Sequence, residues 1–425
     1  MRFPEYTDEW KTVRLGDISK IQRGASPRPI SSKKWYDTLN KKVGWVRISD
    51  LTRSSKFLYE TEDYLSEAGI NKSRFLPKGS LIMSICATIG KPIITSIDTC
   101  IHDGFVGFSK LDNVDKEFLY YYLKKLEPKF NSLSQTGSQA NLNSDLVKIT
   151  KITIPSLNEQ KKISAFISSI DVKLKLLKDK KDEYVKFKHY LLQNLFPQNG
   201  ETVPKLRFNK FHDEWTTSIL GNFSEINTGD KDLKDKSEKG KYPFFVRSKK
   251  IERINSYSYN GEAILIPGDG KIGQIFHYIN GKFDYHQRVY KISDFKNVNG
   301  KYIYYYLQKF FLKHALKYSV KATVDSLRLP IIKEMEIKFP SLKEQEKIAS
   351  FLSAIDQKID LLDQEIEYVE EYKKGLLQKM FIWRVYLFYC CILSSEYLEI
   401  MFYIMIFFLR YVLLTLVSDL MSHIF

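Results

Sequence analysis

The chain has 425 residues and a formal net charge of +16, from 66 Lys and Arg against 50 Asp and Glu. That length allows two or three domains, each with a sizeable core. The N-terminus lacks the apolar run of a signal peptide, and Cys86, Cys100, Cys390 and Cys391 form no C-x-x-C pair. We therefore expect a cytoplasmic protein with reduced thiols, no disulfide framework and no metal.

The first third of the chain predicts a mixed domain. An apolar run predicts a strand at Ser80–Ile85, and an aromatic segment predicts a helix at Phe118–Leu126. The third quarter of the chain also predicts a mixed domain, with a strand at Ala263–Ile266 and a helix at Tyr302–Phe311. Short strands interspersed with helices predict the α+β class for both regions.

Positive charge is concentrated on these two mixed regions. Residues 1–154 carry 24 Lys and Arg against 17 Asp and Glu, and residues 205–339 carry 25 against 15. Basic, aromatic-rich domains favour polyanionic partners, chiefly nucleic acid. A Lys-rich composition is also common in ordinary proteins, so charge alone does not define the partner.

One long helix is predicted after each mixed region. Both helices begin with S-x-x-E, the spacing of a capping box, at Ser156 and Ser341. A helix over Leu157–Leu195 would be about 57 Å long at 1.5 Å per residue. That is longer than a domain of this size needs for its own core.

The two helices carry features of a coiled coil. Apolar residues recur at spacings of three and four, with Lys181 interrupting the first copy. The seam consists of Ile170, Leu174 and Leu177 in the first helix and of Ile355, Ile359, Leu362, Ile366 and Val369 in the second. The first helix has nine Lys and five Asp and Glu, and the second has six Lys and nine Asp and Glu. Opposite charges favour pairing between them; the alternative is that each helix lies on its own domain with solvated charges.

The helix belongs to a unit that occurs twice. PSLNEQKKISAFISSIDVKL returns as PSLKEQEKIASFLSAIDQKI, and 19 of 42 aligned positions are identical across the two helices. EWKTVRLGDISKIQRG and KEFLYYYLKK in the first half return as EWTTSILGNFSEINTG and GKYIYYYLQK in the second. The middles diverge, which suits a scaffold that presents two different recognition surfaces.

These matches divide the chain into six segments. They are a first recognition domain (1–154), a first long helix (155–196), a linker (197–208), a second recognition domain (209–339), a second long helix (340–381) and an atypical apolar tail (382–425).

The duplicated PSLxEQxxIxxFxxxID helix, together with the W-x-x-x-x-L-G start and the YYYL segment, resembles the specificity (S) subunit of type I restriction-modification systems. The resemblance covers about Glu9 to Phe381. It implies a non-catalytic subunit whose two target recognition domains each read one half of a bipartite site in double-stranded DNA. It also implies that the helices form an antiparallel coiled coil that docks two methyltransferase (modification) subunits, with motor-nuclease (restriction) subunits joining for cleavage.

Two further expectations follow from this resemblance. S-adenosylmethionine, ATP and Mg are expected on the partner subunits, with no cofactor in this chain. A rigid rod of about 57 Å also matches some 16 or 17 base pairs of duplex, so the helices can act as a ruler for the spacer between the half-sites.

Catalytic motifs are missing from the sequence. It has no NPPY or DPPY tetrapeptide and no complete phosphate-binding loop. The segment Pro267–Gly273 comes near, but Ile272 stands where Ser or Thr should bind Mg, so we interpret it as a glycine turn between two strands. Asp325, Glu336 and Lys338 could form a nuclease-type cluster, although the last two read as part of a strand. A self-sufficient DNA methyltransferase or endonuclease is therefore the alternative function.

Contacts to DNA require Arg, Lys, Asn or Gln on exposed loops. The candidates are Arg28, Lys33, Lys34, Arg47 and Arg53 in the first domain and Arg247, Lys249, Lys250 and Arg253 in the second. For any single one, the alternative is a solvated surface charge. Gln139, Asn141 and Asn143 are further candidates, and the alternative is that they only shape a loop.

The tail after Phe381 is almost wholly apolar and aromatic, and it departs from the family. Arg410 divides its apolar run into segments too short to span a bilayer alone. Three interpretations stay open: a reading-frame accident without a role, a membrane anchor, and a segment that packs on the helices or a partner. A membrane-tethered coiled-coil adaptor is accordingly the most distant alternative for the whole chain.

Overall fold

The structure is a computed structural model that describes residues 2–134, 142–198, 200–318 and 326–381. The described chain divides into two compact units, residues 2–167 with 373–381 and residues 168–372. The tail and the candidates Gln139, Asn141, Asp325, Cys390 and Cys391 lie outside the described residues.

The first unit holds the first recognition domain. Its elements are β1 (Lys11–Arg14), α1 (Leu15–Ile18), β2 (Lys20–Arg23), β3 (Gly44–Val46), α2 (Ile48–Arg53), β4 (Phe57–Leu58), β5 (Asp63–Tyr64), α3 (Glu67–Ile70), β6 (Arg74–Leu76), β7 (Leu81–Ser84), β8 (Pro92–Thr95), β9 (Thr99–Ile101), β10 (Phe105–Ser109), α4 (Lys116–Ser134), α5 (Ser144–Ile149) and β11 (Lys151–Ile154). The long helix α6 (Leu157–Asn194) begins here and continues into the second unit.

Two sheets and a strand pair order the first domain. One sheet has the order β2-β10-β7-β8-β4 and the other the order β5-β3-β9-β6. Strands β1 and β11 pair antiparallel, with Lys11 opposite Ile154, and so bring the start of the domain to the start of α6. Val46, Ile82 and Phe105 are fully buried in the core.

The second unit holds the second recognition domain. Its elements are β12 (Thr216–Ile219), β13 (Glu225–Thr228), β14 (Tyr242–Phe245), β15 (Ile251–Ile254), β16 (Tyr259–Pro267), β17 (His277–Tyr285), β18 (Val289–Ser293), α7 (Gly300–Leu316), α8 (Leu329–Lys333), β19 (Glu336–Phe339) and the first part of α9 (Leu342–Met380).

The second domain repeats the frame of the first. Its main sheet has the order β13-β18-β16-β17-β14-β15, and β12 pairs antiparallel with β19, with Thr216 opposite Phe339. Asn299 starts α7 by accepting a hydrogen bond from the backbone N–H of Tyr302, and the aromatic face of α7 packs into the core. The α+β class predicted from the sequence is confirmed.

The predicted elements are found where the sequence placed them. The strand predicted at Ser80–Ile85 is β7, and the helix predicted at Phe118–Leu126 lies within α4. The strand and helix of the second domain correspond to β16 and α7. The segment Pro267–Gly273 forms a turn between β16 and β17, with positive φ at Gly270 and Gly273, as the glycine-turn interpretation predicts.

Four ion pairs join α6 and α9 within the second unit. Lys173 pairs with Glu365, Lys178 with Glu370, Lys181 with Asp363 and Lys188 with Asp356, at N–O distances of 2.9, 2.6, 2.5 and 2.6 Å. Lys173 meets Glu365, whereas Lys188, fifteen residues later on α6, meets Asp356, nine residues earlier on α9, so the helices run antiparallel. In every pair the cation lies on α6, the helix whose sequence carries the positive charge.

The apolar seam lies beneath these ion pairs. Ile170, Leu174, Leu177, Ile355, Leu362, Ile366 and Val369 are buried, and Ile359 is partly buried. Lys181, which interrupts the first stripe, points its ammonium group at Asp363. None of the helices in the described part of the chain is long and apolar enough to cross a lipid bilayer.

A clamp holds the start of each long helix. The guanidinium of Arg2 donates two hydrogen bonds, both 2.8 Å, to Glu159, whose side chain is 0% exposed. In the second unit Arg207 binds Glu344 in the same way, at 2.9 and 2.8 Å. Sequence analysis missed both arginines because it began the repeat at Glu9. The signal is present in the shared R-F-x4-D-E-W pattern.

Candidate nucleic-acid interface

Each recognition domain has a histidine turn at the same place in its frame. The turn is His102–Gly104, between β9 and β10, in the first domain and His286–Arg288, between β17 and β18, in the second. Nδ1 of the histidine accepts a hydrogen bond from the backbone N–H two residues later, at 3.0 Å from Gly104 and 2.9 Å from Arg288. The two turns therefore share the same hydrogen bond from the backbone to the histidine, although their sequences differ.

The histidines stiffen these turns as neutral rings. Burial lowers the pKa of both His102 and His286; at His102 the Asp103 carboxylate opposes this shift, and nearby arginines act in the same direction as burial at both rings. Nδ1 of His102 also lies 2.7 Å from Asp103 Oδ1. We assign the acceptor role to this nitrogen because that role is common to both copies and fits the lowered pKa.

A bent loop packs beside each histidine turn. It spans Ile85–Gly90 in the first domain and Gly268–Gly273 in the second. Its first backbone N–H donates to the carbonyl oxygen of the third residue of the turn, at 2.8 Å in both copies. Positive φ occurs at the same two places, at 55° and 79° in the first loop and at 77° and 71° in the second. The segment predicted as a glycine turn is thus one copy of a repeated structure.

A glycine packs against the backbone of each histidine turn. A Cβ on Gly24 would lie 2.1 Å from the carbonyl oxygen of His102, and one on Gly229 would lie 1.9 Å from that of Tyr285. Any side chain at either glycine would push the histidine turn away. Both glycines end the repeated segment that starts at Glu9 and Glu214.

Arginines surround the histidine turn of the first domain. Arg28 donates to Asp103 at 3.0 Å, and Arg23 donates to the carbonyl oxygen of the same residue at 2.8 Å. Arg47 is more constrained, because it pairs with Asp63 at 3.1 Å and lies 4.4 Å above the ring of Trp45. Of the two arginines that form an ion pair here, Arg28 is the more exposed, with 68% of its side chain accessible against 35% for Arg47.

The second domain has a similar surface. Arg247 donates to Asp269 of the bent loop at 3.1 Å, and its side chain is 51% exposed. Gln287 donates from its amide to Asp232 at 2.9 Å, and Arg288 next to it is exposed. Sequence analysis missed Gln287 and Arg288, although both histidine turns lie at the same distance from their YYYL helices.

The remaining candidates fall into two groups. Arg53 and Arg253 are engaged with the protein, Arg53 with Asp50 at 2.9 Å and Arg253 with two backbone carbonyl oxygens at 2.9 and 2.7 Å. The more accessible group consists of Lys33 and Lys34 on a short 3-10 turn, Lys249 at the rim of a cavity of about 540 Å³, and Lys250, which pairs with Glu252. Asn143 caps α5 by accepting from the backbone N–H of Asp145.

No group of three metal-binding side chains occurs among the residues that the structure describes. Burial raises the pKa of Cys100 to about 11 and also raises that of Cys86, so both thiols stay protonated at neutral pH.

Two basic surfaces on one repeated frame, with different exposed side chains on each, are typical of nucleic-acid recognition proteins. The chain belongs to the family of the type I restriction modification DNA specificity domain, whose model matches residues 7–186 and 212–371. It is a specificity subunit that recognises DNA sequence and is not itself an enzyme, so the alternative of a self-sufficient methyltransferase or endonuclease was wrong.

Curated relatives agree with this assignment. The chain is 22% identical over 406 residues to the MjaIX specificity subunit of Methanocaldococcus jannaschii, covering 88% of this chain and 92% of the relative. It is 21% identical over 368 residues to the EcoprrI specificity subunit of Escherichia coli, covering 82% and 87%.

Solved structures share the fold. The S subunit of a type I restriction-modification system from M. genitalium has a TM-score of 0.62 and 16% identity, covering 91% of this chain and all of the other. A chain from a study of complex assembly and conformational transition of the type I R-M system has a TM-score of 0.54 and 17% identity, covering 89% and 98%.

Proposed function

We propose that this chain reads a bipartite site in double-stranded DNA, one half with each recognition domain. The observation that carries the proposal is the repeated frame with different exposed residues. The turn His102–Gly104 carries a partly buried carboxylate that binds Arg28, whereas His286–Arg288 exposes an amide and a guanidinium. Two identical surfaces would read the same half-site twice; these two present different donors and acceptors to the bases.

The paired helices set the distance between the half-sites. Helices of 38 and 39 residues extend about 57 Å, which corresponds to some 16 or 17 base pairs. Inserting one helical turn into both helices should lengthen the tolerated spacer by one or two base pairs. An unchanged spacer in the methylated sites of such a variant would refute the ruler.

The helices also dock two modification subunits. Large apolar side chains remain exposed on both helices, namely Val172, Leu176, Val185, Phe187 and Tyr190 on α6 and Leu361, Tyr368 and Tyr372 on α9. Leu176 and Leu361, exposed by 62% and 57%, occupy equivalent positions of the repeat. An exposed apolar residue repeated at equivalent positions of the two helices suits two copies of one partner.

The proposed division of labour assigns the chemistry to the partner subunits. Modification subunits would supply adenine methylation with S-adenosylmethionine, and restriction subunits would supply cleavage with ATP and Mg. The complex would work in the cytoplasm, where the DNA is. Replacing Leu176 and Leu361 by Asp should abolish co-purification of the modification subunit, with Val203→Asp, at an exposed position outside both helices, as the matched control.

DNA reading can be tested at the basic cluster of the second domain. Reversing Lys249 and Lys250 to Glu should weaken binding of the assembled complex and flatten the salt dependence of its affinity, because phosphate contacts release counterions. An unchanged salt slope would remove these residues from the interface. Mapping of methylated adenines with the wild-type complex gives both half-sites and the spacer directly. Methylation without a two-part motif would overturn the proposed function.

A further inference from the structure

We propose that Arg28 and Arg247 each read a guanine, one in each half of the DNA site, and that Asp103 and Asp269 position them. This inference rests on the proposed function, which assigns one half-site to each domain. To that function it adds which base is recognised, which side chains recognise it and which residues orient those side chains.

Both arginines have the same arrangement in their domains. One N–H of Arg28 bonds to Asp103 Oδ2 at 3.0 Å, and one N–H of Arg247 bonds to Asp269 Oδ2 at 3.1 Å. Each side chain is at least half exposed beside its histidine turn. The carboxylate therefore holds one N–H of each guanidinium, and the remaining N–H groups are accessible to a ligand.

The two carboxylates come from different places in the repeat. Asp103 belongs to the histidine turn, and Asp269 belongs to the bent loop. The residues at the corresponding positions, Gln287 and Cys86, cannot perform the same task. Each domain thus has an arginine–carboxylate pair beside its histidine turn, although the two carboxylates occupy non-equivalent positions of the repeat.

The backbone beside each carboxylate is fixed. The carbonyl oxygen of Asp103 accepts a hydrogen bond from Arg23 at 2.8 Å. Asp269 forms an isolated β-bridge with Ser326. Beside this bridge, the backbone N–H of Leu327 donates a hydrogen bond to the carbonyl oxygen of Gly268 at 2.7 Å. Each carboxylate can therefore fix the direction of its arginine.

Such a pair suits a base better than a phosphate. A phosphate contact depends mainly on positive charge, and an adjacent carboxylate offsets that charge. Reading guanine depends instead on two parallel N–H donors aimed at O6 and N7 in the major groove. A carboxylate that binds one N–H of the guanidinium fixes the direction of the remaining N–H donors. It weakens their hydrogen bonds to guanine only slightly.

The test uses the complete complex with its modification subunits. Arg28→Ala should relax the methylated motif at one G·C position in one half-site, and Arg247→Ala at one position in the other half. The preference for the correct base pair should fall by about 5- to 150-fold, the range of one bidentate contact. The slope of affinity against salt should stay the same.

Two variants separate positioning from simple structural support. Asp103→Asn keeps the size of the side chain but weakens its hold on Arg28, so it should relax the same position as Arg28→Ala, and the double variant should relax it no further. Lys148→Ala removes another exposed cation paired with a carboxylate, Asp145 on α5, and should leave the motif unchanged. Thermal unfolding of each complex shows whether the variants are folded.

Three results would overturn the inference. The first is a wild-type half-site without a G·C pair, and the second is an unchanged motif in folded Arg28→Ala and Arg247→Ala complexes. The third is uniformly weaker binding with a salt slope shallower by about one, the behaviour of a lost phosphate contact. A wild-type complex without a two-part motif would instead refute the proposed function, so the two failures can be told apart.

Discussion

Replacing Arg207 by Ala should destabilise the start of α9 by about 3–5 kcal/mol. The two hydrogen bonds from Arg207 to Glu344 are the reason, because the carboxylate is 1% exposed and would remain buried without its cation. The variant also loses the 2.6 Å bond from Arg207 to the carbonyl oxygen of Asp213. A surface ion pair would cost only about 0–1 kcal/mol by comparison.

Hydrogen exchange of the amides at the start of α9 measures this change locally. Exchange should accelerate by about two to four orders of magnitude, at roughly 1.4 kcal/mol per factor of ten. Adding Glu344→Gln to Arg207→Ala should recover part of the loss, since it removes the unpaired charge. Arg2→Ala provides an internal replicate, because Arg2 holds Glu159 in the same geometry. Exchange altered by less than about 0.5 kcal/mol in both variants would refute the clamp.

Lys178→Glu should weaken helix pairing by about 0.5–1 kcal/mol, and adding Glu370→Lys should restore it, as read by urea unfolding at low salt. If the double variant stays as unstable as the single one, the ion pair is not the cause. Gly229→Ala places a Cβ 1.9 Å from the carbonyl oxygen of Tyr285 and should lower the melting temperature and relax one half-site; an unchanged motif contradicts this expectation. Burial lowers the pKa of His286 below 6.5, so the folded state binds fewer protons and stability is lost as pH falls below 6.5. His286→Gln should reduce that slope in urea unfolding across pH, and an equal slope would exclude the histidine.

The sequence predicts those parts of the structure that depend on local patterns. The strand at β7 follows from a short apolar run, and the helix α4 follows from its length and aromatic face. The paired helices follow from a seam that recurs every three and four residues, with opposite charge on the two copies. Strand order could not be predicted, because β14 pairs with β17 across forty residues of chain, a choice made by tertiary packing.

The candidate site was predictable only in part. Composition places arginines and lysines in the divergent regions, but it does not distinguish Arg28, which is exposed, from Arg253, which holds backbone carbonyls. That distinction depends on which loops meet in space. The histidine turns could have been found by extending the register of the YYYL helices backwards, since His102 and His286 lie equally far before them.

The arginine–carboxylate pairs also bear on how far sequence comparison can predict a DNA target. Asp103 and Asp269 occupy different loops, yet each holds an arginine beside its histidine turn. An alignment of the two domains therefore pairs Asp103 with Gln287 and suggests that the surfaces differ at that point, although each surface carries an arginine–carboxylate pair. Conversely, Arg288 has no cationic counterpart at Gly104, so the second surface carries an additional donor. The frame is repeated in both domains, whereas under our proposal the target depends on a few side chains that an alignment of the two domains does not pair.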